Sequence, residues 1–215
     1  MQALPPGPRP PLSPAAAAES LARAGTRSAL LVEGWSDQAA VETLARRQGL
    51  DLAAEGIGVV PIGGITNLGK FIQALGVQGL GLRLGGLCDA AEEPYLVRTL
   101  DRWLLSRQGF FACHADLEDE LIRALGIAAV EQVVAAEGEL NSLRRFQDQP
   151  DQRGREAHAQ LRRFMGTRAR RKIRYGALLV EALNLEHVPA PLRQVLAFAL
   201  TPVAGADAPA VRPSP

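Results

Sequence analysis

Ala29-Leu30-Leu31-Val32-Glu33-Gly34-Trp35-Ser36-Asp37 reads as a buried strand that ends on an acid and turns at once into a helix. Leu30, Leu31 and Val32 form a continuous apolar run, the mark of a strand covered on both faces. Glu33 and Gly34 stop the run, and Ser36 then offers a helix N-cap with Asp37 in the first turn. An acid at the carboxyl end of a parallel strand, with a second one four residues on, falls where open α/β sheets place their sites. Two converging carboxylates suit a hard divalent cation such as magnesium. The same residues also fit a solvated strand end and a simple complement to the helix dipole. This stretch alone leaves both readings open.

Outward from it, strands and helices alternate. A weak helix around 15–24 leads into the first strand. After Ser36, the positions Ala40, Val41, Leu44 and Ala45 keep helical spacing as far as Gly49. A second strand at 58–62 breaks on Gly63-Gly64, and a helix follows at about 67–75. A third strand at 82–88 stops on Asp89, and a helix at 95–105 follows. A fourth strand at 109–113 precedes a helix at 117–125. From about 127 to 200 every periodic segment is helical. The expectation is an α/β fold: a small parallel four-stranded sheet flanked by helices, then a helical C-terminal subdomain. The boundaries are an α/β domain over 15–126, the helical subdomain over 127–202, and Pro-rich disordered tails at 1–14 and 203–215.

Composition narrows the class. The chain has 215 residues, 47% of them hydrophobic, enough for a sizeable core. No apolar run reaches the length of a membrane span, and no basic start leads into an apolar leader. A soluble cytoplasmic protein is expected, with Cys88 and Cys113 as buried thiols rather than a disulfide or zinc site. Net charge is only +1. Between Arg144 and Arg174, however, eleven Arg or Lys side chains stand against three acids. That excess suits a polyanionic partner, and equally a set of solvated helix faces.

Several motifs could carry chemistry. Gly64-Ile65-Thr66-Asn67-Leu68-Gly69-Lys70 has the spacing of a phosphate-binding loop, but Phe71 follows where that loop needs a magnesium-binding hydroxyl. Gly63-Gly64 is better read as a tight strand-to-helix turn, with Lys70 as a surface lysine or a backbone-phosphate contact. Asp89 ends the third strand and would sit beside Glu33 if the first and third strands are neighbours. Carboxylates crowded there repel unless a cation neutralises them. Asp116 has the look of an N-cap, and Glu118, Asp119 and Glu120 load the first turn after it. Of the histidines, His114 lies beside the acidic edge, while His158 and His187 read as helix-surface residues.

Taken together, Val32-Glu33-Gly34-Trp35-Ser36-Asp37, Val59-Val60-Pro61-Ile62-Gly63-Gly64, Asp89, and Asp116-Leu117-Glu118-Asp119-Glu120-Leu121 resemble a TOPRIM domain. The variant they resemble is that of the overcoming-lysogenization-defect (OLD) nucleases, over about 28–125 with a weaker extension beyond. The resemblance implies one or two magnesium or manganese ions and phosphodiester chemistry at the acidic edge. It implies Glu33, Asp37 and Asp89 as metal ligands, Glu118 as a further ligand, and Glu33 as catalytic. One departure is Asp89-Ala90-Ala91, which lacks the family's second aspartate; Glu92 or Glu93 could substitute. Another is the ATPase domain that precedes TOPRIM in OLD nucleases. The expectation here is a stand-alone TOPRIM protein, with a separate ATPase partner or none, and a homodimer is left open.

Arg170-Arg171-Lys172-Ile173-Arg174-Tyr175 resembles the lysine-bearing helix of OLD nucleases, which implies a catalytic Lys172. Lys70 and Lys172 are the only two lysines, and a compact ammonium can approach a phosphoryl oxygen as a point charge where a guanidinium fork fits differently. Lys70, Arg162, Arg163, Arg168, Arg170, Arg171 and Arg174 are the expected nucleic-acid contacts. The function expected is metal-dependent endonuclease or nickase action on DNA, in repair or phage defence. The alternative is a catalytically reduced module that binds metal, nucleic acid or a partner protein without cleavage.

Overall fold

Four short apolar runs become strands, β1 (Ser28–Val32), β2 (Ile57–Pro61), β3 (Arg83–Asp89) and β4 (Phe110–Cys113), in a computed structural model that describes residues 12–201. The tails expected to be disordered lie, for nearly all of their length, outside the described residues. The strands pair in parallel in the order β2-β1-β3-β4, so the strand leading to Glu33 is central and β3 is its neighbour. Parallel pairing needs crossovers, and helices supply them. They are α2 (Trp35–Arg47), α3 (Leu68–Leu75) and α4 (Glu93–Arg102), while α1 (Pro14–Arg23) leads into β1 and α5 (Leu117–Leu125) follows β4. The helical C-terminal part comprises α6 (Ile127–Ala136), α7 (Leu140–Gln147), α8 (Ala157–Gly166), α9 (Ala169–Ala182) and α10 (Ala190–Leu200).

Every residue of β1 is buried, and its side chains alternate between two cores. Leu30 and Val32 join Val41 and Leu44 of α2, Leu121 and Ile122 of α5, and Tyr175 and Leu179 of α9. Ala29 and Leu31 join Ala17, Phe71, Leu75 and Leu100 on the opposite face. The late helices therefore share the sheet's own core. Gly176 allows a close approach: a Cβ there would lie 2.5 Å from the Ser36 carbonyl oxygen. The missing side chain lets α9 press on the start of α2, which brings Lys172, one turn earlier, to the acidic edge. At the other end of the sheet, Phe198 of α10 lies against Gly85 and Gly109, where no side chain intervenes.

Two local expectations are corrected. The N-cap of α2 is Gly34, not Ser36, and Asp37 caps from within by accepting the Gly34 N–H at 2.8 Å. Gly34 has no side chain to offer, so the acid at the third helical position satisfies the orphan donor. Ser36 is instead buried beneath α9. Helix α4 begins at Glu93 rather than Tyr95, after a 3₁₀ turn over Ala90–Glu92, with Pro94 in its first turn.

Candidate metal centre

The carboxyl end of β1 is held by its neighbour's turn. The Glu33 carbonyl accepts the N–H groups of Gly63 at 3.0 Å and Gly64 at 3.3 Å. Both glycines have positive φ, 71° and 103°, a conformation that side chains disfavour. Asn67 closes the turn by donating to the carbonyls of Ile62 and Gly63. The Gly-Gly pair thus positions Glu33. Phe71, which spoils the phosphate-loop pattern, is a core residue at 1% exposure.

Glu33, Asp37, Gly63, Gly64 and Lys172 line one cleft of about 280 Å³. Burial, then the Glu118 charge, push the Asp37 carboxyl up to about 7, despite its hydrogen bond from Gly34 and the nearby Lys172. Burial and the charges of Glu33, Asp116 and Asp37 push Asp89 up to about 8. Glu118 is 3% exposed, and its carboxyl is raised by burial and by Asp116 against the pull of Lys172. Lys172 Nζ lies 3.3 Å from Glu118 Oε2, while Glu118 Oε1 is buried without a hydrogen-bond partner. Burial opposes the Lys172 charge, but Glu118 and Asp37 hold the ammonium above its ordinary value.

The structure therefore brings Glu33, Asp37, Asp89, Glu118 and Lys172 within each other's fields at one edge. Of the substitute ligands, Glu92 is partly buried and raised by burial and by Glu33, with Oε2 unpartnered. Glu93 is exposed in the first turn of α4. All these donors are oxygens, which suits a hard divalent ion. Among the described residues, however, no three His, Cys, Asp or Glu side chains are already drawn together as a metal cage. The carboxylates feel each other's charge without having closed on a common point.

The basic segment divides into engaged and free residues. Arg171, grouped by sequence with the nucleic-acid contacts, is 8% exposed and bound to Glu139, Thr167 and the Phe164 carbonyl. Its guanidinium is spent inside the fold. Arg174 pairs with Glu137 and Glu139, and Arg162 with Asp116 at 2.6 Å. Arg163, Arg168 and Arg170 are exposed and have no carboxylate partner among the described residues. Lys70 is exposed, with Nζ 3.4 Å from Asn67 Oδ1. Asp116 is the N-cap of α5, accepting from the Asp119 N–H at 2.8 Å.

His158 is not a bare helix-surface residue: its Nε2 lies 2.7 Å from Asp119 Oδ1, and Arg123 pairs with the same carboxylate. The two partners are 39 residues apart, so no local spacing signals the contact. With Arg162 on Asp116 and Lys172 on Glu118, three acids at the head of α5 are each clamped by a basic side chain of α8 or α9.

Residues 26–90 match the family model described as the TOPRIM domain of overcoming-lysogenization-defect-protein-like proteins. The chain carries an OLD-like TOPRIM domain. Solved structures agree in fold. The C-terminal region of the Burkholderia pseudomallei OLD protein superposes with TM-score 0.61 at 21% identity, covering 81% of this chain and 97% of that one. The same region of the Xanthomonas campestris pv. campestris OLD protein gives TM-score 0.61 at 25% identity, covering 81% and 92%. Comparison with curated protein sequences gives no match. An OLD-like TOPRIM domain is a nuclease-type domain. The family match contains Glu33, Asp37 and Asp89 but ends before Asp116, Glu118 and Lys172. Among the described residues no helix is long and apolar enough to cross a membrane.

Proposed function

We propose that this chain is a metal-dependent phosphodiesterase acting on DNA, with Glu33, Asp37, Asp89 and Glu118 holding one or two magnesium or manganese ions. The observation that carries this reading is the crowding of acids at one edge, buried Asp37 and half-buried Asp89 above all, each raised by desolvation and by its neighbours' charge. Such a cluster is relieved by a divalent cation. A bound ion supplies a Lewis acid for the phosphoryl oxygens. Lys172 presents a point charge to the negative charge on the phosphoryl oxygens in the transition state. Arg168, Arg170 and Lys70 hold the backbone with little sequence preference, while Arg162, Arg163 and Arg174 add to the positive field. Hydrolysis adds water across one P–O bond and leaves a phosphomonoester and a hydroxyl end.

This reading divides the chain into a TOPRIM domain over 15–126 and a helical subdomain over 127–202 that brings Lys172 to it. A separate ATPase partner, a homodimer and a cytoplasmic location belong to the same proposal; the two free, buried thiols suit a reducing compartment.

A second reading rests on Asp89-Ala90-Ala91 and on the unclosed cage: a module that binds metal or nucleic acid without cutting. The experiment is calorimetric titration of manganese into the protein and into Asp89→Asn, then plasmid nicking with and without manganese beside Glu33→Ala. Binding lost in Asp89→Asn and nicking lost in Glu33→Ala support the nuclease. Nicking retained in Glu33→Ala sinks it. Metal or DNA binding without nicking supports the second reading.

A further inference from the structure

A second cleft of about 450 Å³ opens between α5 and α8, lined among others by Asp116, Glu118, Arg155, Arg162, Arg163 and Lys172. Four cations thus face two acids. Two of the cations are already spent: Arg162 on Asp116 and Lys172 on Glu118. Arg155 and Arg163 remain. Arg155 donates Nε to the Asp151 carbonyl at 2.7 Å, which positions the guanidinium without neutralising it. Neither Arg155 nor Arg163 has a carboxylate partner among the described residues. The lining therefore keeps two uncompensated positive charges, both on guanidinium forks.

That charge selects among phosphates. A backbone phosphodiester carries one negative charge, whereas a phosphomonoester carries about 1.5 to 2 and offers three acceptor oxygens. Two forked guanidiniums match the second better than the first. The volume is that of a small-ligand pocket, of the order of 300 to 1,000 Å³. It admits a strand end and not a duplex.

We propose that this cleft binds the terminal phosphomonoester of a nucleic-acid strand, so that the chain reads phosphorylated ends. The inference rests on the nucleic-acid reading above and adds its substrate class. Lys172 lines both this cleft and the one holding Glu33 and Asp37, so a strand anchored here continues toward the acidic edge. The reaction that must supply the substrate is hydrolytic strand breakage that leaves a phosphate on one end.

The test is fluorescence anisotropy with the full chain in EDTA, so that no cleavage enters the readout. Three internally labelled single-stranded oligonucleotides of one sequence are compared: 5′-phosphate, 3′-phosphate, and hydroxyl at both ends. One phosphorylated strand binds about tenfold tighter than the hydroxyl strand, the scale of a charge-assisted contact. Arg155→Ala with Arg163→Ala brings that ratio to about one, and Arg155→Lys with Arg163→Lys retains part of it. Equal binding of all three strands by the native chain overturns the proposal, as does a ratio that survives the double alanine substitution. If the native chain binds no strand, the nucleic-acid reading falls with the strand-end source. Inorganic phosphate binding, by calorimetry, that depends on Arg155 and Arg163 would then keep the cleft as a phosphomonoester site for a free ligand, and its absence would overturn the cleft as well.

Discussion

Lys172 Nζ lies 3.3 Å from Oε2 of Glu118, joining α9 to the head of α5 across the candidate site. The pair is uneven: the Glu118 side chain is 4% exposed and that of Lys172 41%. Glu118 Oε1 has no hydrogen-bond partner. The lysine is thus the main compensation for a buried carboxylate. Lys172→Met should lower stability by about 1–3 kcal/mol, the cost of leaving a buried polar group unsatisfied. Adding Glu118→Gln should recover most of that loss. Urea unfolding of the two single variants and the double variant closes the cycle. Simple additivity would show that the ion pair is not coupled.

Arg171 and Glu139 make the opposite case, a charged pair whose role is internal. The Glu139 carboxylate accepts from Arg171 Nε at 3.1 Å, Arg171 Nη2 at 3.2 Å and the Tyr175 hydroxyl at 3.0 Å. Arg171 also stacks over Phe164, with its guanidinium carbon 4.1 Å from the ring centroid. Arg171→Met should destabilise the chain by about 1–3 kcal/mol, since it removes two charge-assisted hydrogen bonds from a partly buried acid and leaves Arg174 and Tyr175 to hold it. Arg170→Met, one residue away and exposed, should leave stability within about 0.5 kcal/mol. Thermal unfolding separates the two.

The same cluster sets an acid limit. Burial alone would raise the Glu139 carboxyl, but hydrogen bonds from Arg171 and Tyr175 and the charges of Arg171 and Arg174 hold it below its ordinary 4.5. A carboxyl depressed on folding contributes stability that is fully present above the unfolded value and is lost as pH falls through the folded one. Unfolding free energy should therefore decline as pH drops below about 4.5, and Glu139→Gln should make that decline shallower. Equal slopes in acid would remove Glu139 from the explanation.

Gly176 explains how a helix that reads as a distant segment reaches the site. A Cβ would meet the Ser36 carbonyl oxygen at 2.5 Å. Gly176→Ala gains up to about 1 kcal/mol in helix propensity. It should still destabilise overall, because overpacking a backbone contact costs about 1–3 kcal/mol. The displacement of α9 should also weaken manganese binding, although residue 176 is no ligand. Chemical denaturation and calorimetry read the two effects separately.

These residues also mark what the sequence could carry. The strand ends at Glu33 and Asp89, the turn at Gly63-Gly64 and the Asp116 cap were legible because each is local: an apolar run, a glycine pair, an acid before a helix. The resemblance added Glu118 and Lys172, which fall outside the matched domain yet meet in space. Missed were contacts fixed by packing between distant segments: Arg171 turned inward to Glu139, His158 on Asp119, Gly176 against Ser36. A run of arginines looks uniform in one dimension. Which of them point at a carboxylate depends on how α9 crosses α2, and no periodicity encodes that crossing.

The acidic edge should cost stability in the absence of metal. Asp89 is raised by burial and by Glu33, Asp116 and Asp37, so its charge is opposed by its surroundings. Sites built for binding commonly carry such strain, and removing one charge relieves it. Asp89→Asn should melt a few degrees higher than the native chain in EDTA, since about 1 kcal/mol shifts the midpoint by about 2–4 °C at this size. With manganese the order should reverse: the native chain gains stability by mass action, and the variant, short of a ligand, does not. An EDTA melt in which Asp89→Asn is the less stable protein would mean that Asp89 is held by favourable contacts, and the crowded-carboxylate account of the site would then fail at its central residue.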